Sequence, residues 1–225
     1  PEDPDHDSMC GLLLRHMYGT RAAADGWQEE YSTVMVKLGF AQGDASPNVF
    51  RHNERKITTS VHGDDFTSSG PADDLDWLEE TLAEHYELTI APRMGPGPND
   101  AKEGRVLNRV IRWLDGRVEY ECDPRQIERL IAECGLDGAK AVATPSLKAT
   151  FKELEEDSVE LPSHLTTAFR GAAARGNYLA ADRLDSQFAC KEICRWMSRP
   201  SRHAWKSLKR LCRYLAGAPR LVYIY

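Results

Sequence analysis

Apolar residues in the first part of the chain recur at helical spacing. Trp27, Tyr31, Val34 and Leu38 follow one another at intervals of four, three and four residues, which places them on one face of a helix. Gly39, directly after this stripe, is a typical helix stop signal. The pattern therefore predicts a helix in the second half of residues 9–38, with its apolar face turned to a core.

Strand-like runs occur twice, each time as a pair around a short turn. Short β-runs joined by Gly and Asp residues predict β-hairpins. The first hairpin is predicted to carry two adjacent carboxylates in its turn. The runs are residues 56–62 and 66–68 around Gly63-Asp64-Asp65, and residues 105–113 and 117–122 around Asp115-Gly116.

Further helical patterns separate and follow the hairpins. One helix is predicted after Gly70-Pro71 and another from Pro124 to Cys134, and three more at 165–181, 185–198 and 201–216 after an acidic linker at 151–162. Hairpins mixed with helices predict an α+β fold. The last helix is the most amphipathic: its apolar face holds Trp205, Leu208, Leu211, Cys212 and Leu215, and its basic face holds Arg202, Lys206, Lys209 and Arg213.

Charge is distributed unevenly along the 225 residues, whose net charge is −6. Residues 1–163 contain 17 basic and 32 acidic residues, a net charge of −15, whereas residues 164–225 contain 12 and 3, a net charge of +9. The basic region is predicted to face either an anionic partner or the acidic part of its own chain. No apolar run approaches the ~20 residues of a membrane-spanning helix, so we expect no membrane partner.

The cysteines and the first residues indicate an intracellular protein. Six cysteines without a C-x-x-C pair predict reduced thiols. Cys190 and Cys194 lie one helical turn apart but lack the further ligands of a zinc site, so we expect them to pack in the core. The first nine residues, PEDPDHDSM, are acidic where a targeting segment would be basic.

The turn His62-Gly63-Asp64-Asp65 is the strongest candidate for chemistry. Adjacent carboxylates repel each other, and a bound cation would relieve that repulsion. Magnesium prefers hard oxygen ligands and is usually held by one or two carboxylates together with substrate phosphates, and paired metals of this kind act in phosphoryl transfer. Taken alone, the four residues favour an ordinary turn over a metal site.

The succession of motifs around this turn resembles the reverse transcriptase of copia-type LTR retrotransposons. Residues 17–27, MYGTRAAADGW, resemble the family's L-Y-G-L-K-Q-A-P-R-A-W, and His62-Gly63-Asp64-Asp65 resembles its metal hairpin Y-V-D-D. Between them, Leu38-Gly39-Phe40 and residues 47–50, PNVF, are similar to L-G-F and D-P-S-L-F. Later similarities are residues 107–111 to F-L-G-I-E-I, 127–135 to Y-I-x-D-L-L, 142–145 to V-x-T-P, 169–171 to Y-R-S, 177–179 to L-Y-L, 183–185 to R-P-D-I, 197–200 to M-S-N-P and 208–217 to K-R-V-L-R-Y-L-K-G.

The resemblance implies a partial polymerase palm, an antiparallel sheet with packed helices, followed by a helical thumb and connection. It divides the chain into residues 1–122 as partial fingers and palm with the metal hairpin, 123–163 as a thumb-like helix and acidic linker, and 164–225 as a basic helical connection. The implied activity is magnesium-dependent RNA-directed DNA polymerisation on an RNA template and DNA primer. In that reading Asp64 and Asp65 are catalytic metal ligands, deoxynucleotides bind at Tyr18, Gly19, Arg21, His62 and Gly63, and nucleic acid binds at Arg202, Lys206, Lys209 and Arg213.

Departures from the family pattern favour an alternative without catalysis. The family's third carboxylate lies on an earlier palm strand, and none of Glu2, Asp3, Asp5 and Asp7 lies in such an apolar strand, so we expect an incomplete two-metal site that binds magnesium weakly. The family's glutamine is Ala22, and the following ribonuclease H domain is missing, so the chain is predicted to be a fragment. The alternatives are a retrotransposon-derived nucleic-acid-binding or structural protein, a subunit of a larger assembly, or an interaction domain whose basic helices pack on its own acidic half.

Overall fold

The computed structural model describes residues 14–146, 148 and 150–225, which form two compact units that divide between Ile90 and Ala91. Both units combine a four-stranded antiparallel sheet with helices, so the α+β prediction is confirmed. The finer division at 1–122, 123–163 and 164–225 stays a prediction. Among the described residues, no helix has both the length and the apolarity needed to cross a bilayer.

Unit 1 places helix α1 and the first hairpin on one core. Thr20 caps α1 by accepting a hydrogen bond from the Ala23 amide, and Tyr31 and Val34 of the predicted stripe are buried, which confirms the helix. The sheet order is β1-β2-β3-β4. The elements are α1 (Arg21–Lys37), β1 (Ala41–Gln42), β2 (Val49–His52), β3 (Ile57–His62), β4 (Asp65–Ser69) and α2 (Ala72–Ala83).

Unit 2 combines a helical core with a second antiparallel sheet, whose strand order is β5-β6-β7-β8. The core residues Leu130, Phe169, Leu208 and Leu211 are fully buried and come from α3, α5 and α7. The apolar residues predicted on α7 include Leu208 and Leu211, so that face is confirmed. The elements are β5 (Glu103–Val106), β6 (Arg109–Leu114), β7 (Arg117–Glu121), α3 (Pro124–Glu133), α4 (Phe151–Glu156), α5 (Ser163–Ala180), α6 (Gln187–Cys194), α7 (Arg202–Gly217) and β8 (Val222–Ile224).

Two predictions for unit 2 were wrong in detail. Residues 105–113 are not one strand, because Leu107 and Asn108 take left-handed φ angles of 49° and 67° and turn the chain between β5 and β6. The acidic linker contains helix α4, which starts with a capping box in which Thr150 and Glu153 bond each other's backbone amides. The charge run therefore concealed a helix start.

An aromatic cluster under the first hairpin contains a hydroxyl without a partner. The Tyr86 ring lies 5.2 Å from Trp27 and 6.0 Å from Phe66 between ring centroids. Its hydroxyl oxygen is buried and forms no hydrogen bond with any residue that the structure describes. Burial raises the pKa of Tyr86, and the negative charge of Glu30 raises it further. The cluster thus packs well but leaves one polar atom unsatisfied.

We expect Tyr86→Phe to stabilise unit 1 by about 1 kcal/mol, since a buried hydroxyl that makes no hydrogen bond costs its full desolvation. The measurement is the free energy of opening of β3 amides by native-state hydrogen exchange. Tyr120→Phe is the matched control, because the Tyr120 hydroxyl donates to Asp182 and its loss should destabilise unit 2. A destabilised Tyr86→Phe variant would show that the hydroxyl has a partner in solution.

Candidate functional site

The predicted carboxylate turn exists as a two-residue hairpin turn. His62 pairs with Asp65 across β3 and β4, which leaves Gly63 and Asp64 as the central residues. Gly63 has a φ of +63° whereas Asp64 has no positive φ, the pattern of a type II′ turn with glycine at its first central position. Because this turn matches the twist of the paired strands, it holds Asp64 at the end of the hairpin.

Asp64 and Asp65 are both exposed. Within residues 14–146, 148 and 150–225, neither carboxylate forms a hydrogen bond or ion pair. In the same part of the chain, no three His, Cys, Asp or Glu side chains are grouped so that they could hold a metal ion. The described residues thus supply two adjacent carboxylates and no third ligand, and the predicted magnesium site stays a prediction. The earlier acidic residues Glu2, Asp3, Asp5 and Asp7 lie outside the described residues.

Trp27 of the first motif contacts the hairpin turn directly. Its indole Nε1–H donates a hydrogen bond of 2.6 Å to the Gly63 carbonyl oxygen. The ring also packs edge-on against Tyr31 and Phe66, with centroids 5.7 and 6.4 Å apart. Helix α1 and the carboxylate turn are therefore joined by a specific polar contact at the exposed edge of an aromatic cluster.

The other predicted nucleotide-binding residues lie at the start of α1 and at the end of β3. Gly19 has a φ of +84° and precedes the Thr20 cap, and Tyr18 is fully exposed. The exposed Arg21 guanidinium lies 3.8 Å from Asp25, and no hydrogen bond or ion pair among the described residues joins it to the hairpin. His62 is exposed beside the turn. The structure thus brings His62, Gly63, Asp64 and Asp65 together, while Tyr18, Gly19 and Arg21 form a second cluster.

The basic face of α7 is divided between internal contacts and exposed charge. Lys206 Nζ lies 2.6 Å from an Asp157 carboxylate oxygen, and Arg213 Nε donates to the Lys140 carbonyl at 2.7 Å. Lys209 Nζ lies 5.4 Å from the centroid of the Trp205 ring. Arg202 is exposed and, like Lys209, has no carboxylate partner among the described residues. Two of the four predicted nucleic-acid contacts are thus already engaged within unit 2.

The charge asymmetry of the sequence is partly compensated inside unit 2. Basic residues after position 163 form ion pairs with acidic residues before it. The basic region therefore faces, in part, the acidic part of its own chain, which was one of its two predicted partners. Such pairs leave fewer positive groups to meet an anionic partner. The pairs are Arg175–Glu133, Arg199–Glu160, Lys206–Asp157 and Arg220–Glu121.

A buried ion pair underlies the motif Arg183-Leu184-Asp185, to which the sequence alone gave no structural role. Arg183 has no exposed side-chain surface and binds Asp185 through two hydrogen bonds. Its Nε donates to Oδ1 at 2.9 Å and its Nη2 donates to Oδ2 at 2.7 Å. It also donates to the carbonyl of Ala218 at 2.8 Å, just beyond α7, and Tyr214 donates to Asp185 at 2.8 Å. Burial acts to raise the pKa of Asp185, but the hydrogen bonds from Arg183 and Tyr214 outweigh it and hold that pKa below its ordinary value. The motif is a structural clamp on the end of α7.

The prediction that Cys190 and Cys194 pack in the core is confirmed. Cys190 Sγ lies 3.9 Å from Ser186 Oγ, and Cys194 Sγ lies 3.6 Å from the Ala173 carbonyl oxygen. All cysteines of the described residues are free thiols. Burial raises the pKa of Cys190 to about 11, so its thiol stays protonated at neutral pH.

Comparison with known proteins finds relatives along nearly the whole chain. The chain is 29% identical over 233 residues to the retrovirus-related Pol polyprotein from transposon RE2 of Arabidopsis thaliana, with 96% of the chain and 14% of that protein covered. It is 26% identical over 224 residues to the Pol polyprotein from transposon RE1 of the same plant, with 96% and 14% covered. The Pol polyprotein from transposon TNT 1-94 of Nicotiana tabacum is 22% identical over 218 residues, with 93% and 16% covered.

These relatives bear on the motifs rather than on the fold. No protein-family profile and no solved structure matches the chain. The chain spans about a seventh of the length of the curated relatives that it matches. The resemblance to copia-type Pol polyproteins that the ordered motifs indicate is nevertheless confirmed by independent alignments over almost every residue.

Proposed function

From this relationship to the Pol polyproteins of copia-type transposons, we propose that the chain is a segment of a reverse transcriptase, an RNA-directed DNA polymerase. The observation that carries the proposal is the hairpin of unit 1, which presents Asp64 and Asp65 at a turn bonded to Trp27 of the preceding motif. In this proposal unit 1 and the start of unit 2 belong to the fingers and palm. Helix α3 belongs to the thumb, and α5 to α7 form the connection.

Asp64 and Asp65 fit a magnesium site as two of its ligands. Both are exposed carboxylates without internal partners among the described residues, and Mg²⁺ is commonly held by one or two carboxylates together with substrate phosphates. When bound, the metal pair would stabilise charge on the attacking and leaving oxygens of nucleotidyl transfer. A further carboxylate from outside the described residues would complete the site, with Asp64 as the main ligand and Asp65 as the supporting one.

The remaining proposed contacts follow the charges that the fold leaves available. Arg21, at the exposed start of α1, would meet the triphosphate of an incoming deoxynucleotide, with Tyr18 and Gly19 beside it. Arg202 and Lys209 are the strongest candidates on α7 for the phosphate backbone of template or primer, since Lys206 and Arg213 bond within unit 2. Backbone contacts of this kind weaken as salt rises.

We expect Asp64→Asn to lower primer extension by about a hundredfold or more, equivalent to ~2.7 kcal/mol of transition-state stabilisation. Extension is measured with a DNA primer on an RNA template, deoxynucleotides and Mg²⁺. The chain is assayed both alone and fused to the palm segment that precedes the matching region in a relative. Asp115→Asn is the matched control, because Asp115 is an exposed aspartate in the turn of the other hairpin and should leave extension unchanged.

The outcomes separate the proposed enzyme from its alternative. Extension that depends on Asp64 but not on Asp115 supports the polymerase. Absence of extension in the fused protein, or equal activity of the two variants, would contradict it and leave a retrotransposon-derived binding or assembly role. Retained salt-dependent binding to an RNA–DNA duplex would then favour the nucleic-acid-binding form of that role.

A further inference from the structure

Trp27 is the described side chain that makes a hydrogen bond to the backbone of the carboxylate turn. The bond from its indole to the Gly63 carbonyl spans 36 positions in sequence and lies at the turn rather than in the paired strands. The β3–β4 pairing ends at His62 and Asp65, so the two central residues have no ladder partners of their own. The turn is therefore fixed by its own geometry and by Trp27.

The position of Trp27 is itself well determined. Its ring centroid lies 5.7 Å from Tyr31, 6.4 Å from Phe66 and 5.2 Å from Tyr86, all in edge-on orientations. Phe66 is the second residue of β4, directly after the carboxylate pair. An indole in contact with three other rings is restrained by them, so it acts on the turn as a well-positioned donor.

Adjacent carboxylates make such a restraint useful. A hairpin turn with two negative groups gains relief from repulsion if the turn opens and the carboxylates separate, whereas a metal site needs both oxygens held in one geometry. Ligands at metal sites are commonly oriented by neighbouring hydrogen bonds, whose loss typically costs 10–100-fold in metal affinity. A bond to the backbone carbonyl at Gly63 orients the turn without using a carboxylate oxygen.

We infer that Trp27 is a positioning residue, whose indole N–H holds the Gly63-Asp64 turn so that Asp64 and Asp65 present their carboxylates together to a divalent cation. The cation-binding half of this inference rests on the proposed function. The restraint on the turn does not, and each half has its own measurement.

The first measurement is backbone dynamics of the ¹⁵N-labelled chain without metal. In the wild type, Gly63 and Asp64 should have the order parameters of rigid backbone, about 0.85, and in Trp27→Phe these should fall below about 0.6 while the β3 and β4 residues keep theirs. Trp77→Phe is the matched control: Trp77 is a half-buried tryptophan of the same unit that packs on Arg55 and His52 instead of the turn. Unchanged order parameters at Gly63 and Asp64 in Trp27→Phe would overturn the inference.

A second readout uses the wild type alone and holds even if Trp27→Phe fails to fold. Of the five indole N–H groups in the chain, that of Trp27 should exchange with solvent slowly, because it is bonded to the Gly63 carbonyl. Exchange as fast as that of a free indole would contradict the contact itself.

The third measurement uses Mn²⁺ as a paramagnetic substitute for Mg²⁺. Mn²⁺ should broaden the Trp27 indole resonance in the wild type, with little broadening in Asp64→Asn, and Trp27→Phe should bind Mn²⁺ about tenfold more weakly. If Trp27→Phe and the wild type bind Mn²⁺ with equal affinity, Trp27 does not position the carboxylates for the cation. A rigid turn and a protected indole without any Mn²⁺ broadening in the wild type would instead refute the proposed metal site and leave the restraint intact.

Discussion

Asp185→Ala is expected to destabilise unit 2 by about 3–5 kcal/mol. The substitution leaves the guanidinium of Arg183, which has no exposed side-chain surface, without its carboxylate partner, and breaking a buried pair from one side carries a cost of this size. It also removes the acceptor of the Tyr214 hydroxyl. The bonds from Arg183 to the carbonyls beyond α7 remain, but they carry no compensating charge.

The measurement is the free energy of opening of α7 amides by native-state hydrogen exchange. The matched control is Glu192→Ala, which removes an acid that pairs with the exposed Lys191 and Arg195 and should change stability by less than about 0.5 kcal/mol. The double variant Arg183→Met/Asp185→Leu should lose less than Asp185→Ala, because no unpaired charge stays buried. If Asp185→Ala is as stable as the wild type, the Arg183 guanidinium reaches solvent in that variant.

Phe50→Ala is expected to destabilise unit 1 by about 3–5 kcal/mol through loss of buried surface and creation of a cavity. Phe50 has no exposed surface, pairs with Thr59 across β2 and β3, and lies 6.0 Å from the Tyr31 ring between centroids. The amide of Val61, which bonds the Asn48 carbonyl beside this residue, reports the opening in hydrogen exchange.

Val36→Ala is the control for this substitution. Val36 lies on α1 in the same unit and keeps 53% of its surface exposed, so its truncation should cost less than about 1 kcal/mol. If Phe50→Ala and Val36→Ala lose equal stability, Phe50 does not belong to the core of unit 1.

The elements that the sequence predicted well are those with a local and repeated signal. The apolar stripes of α1, α3 and α7 repeat every three or four residues, and each has residues buried in a core. The carboxylate hairpin was also predicted, since two β-runs and a Gly-Asp turn specify it within a dozen residues. Such local patterns predict structure well because the apolar residues that define the period are the same residues that the fold buries.

The elements that were missed are too short to carry a repeated pattern of their own. Strand β8 is three residues long and exists because Tyr223 pairs with Tyr120, about a hundred positions earlier. The turn at Leu107 and Asn108 carries no glycine, the residue that usually marks such a left-handed turn. Helix α4 does have a local signature in Thr150-x-x-Glu153, but the surrounding run of acids is also the pattern of an acidic linker.

For the candidate site, the sequence predicted which elements carry the charged groups, but not the contacts that other residues make with those elements. Asp64 lies on the predicted turn, Asp65 follows it as the first residue of β4, and the basic residues lie on the predicted helix. The hydrogen bond from Trp27 and the internal pairing of Lys206 with Asp157 join residues 36 and 49 positions apart. A periodicity shows which face of a helix is buried, but it does not show which atom on the opposite element that face meets.

The positive φ at Gly63 also limits the evolution of this hairpin. In the resembling family the corresponding motif is Y-V-D-D, with valine at the position of Gly63, and a β-branched residue in the left-handed region costs roughly 1–2 kcal/mol. Valine in place of Gly63 would therefore strain this turn, even though nothing lies within 4 Å of the position that its Cβ would take. The backbone angle, and not the surrounding space, decides which residue the turn accepts.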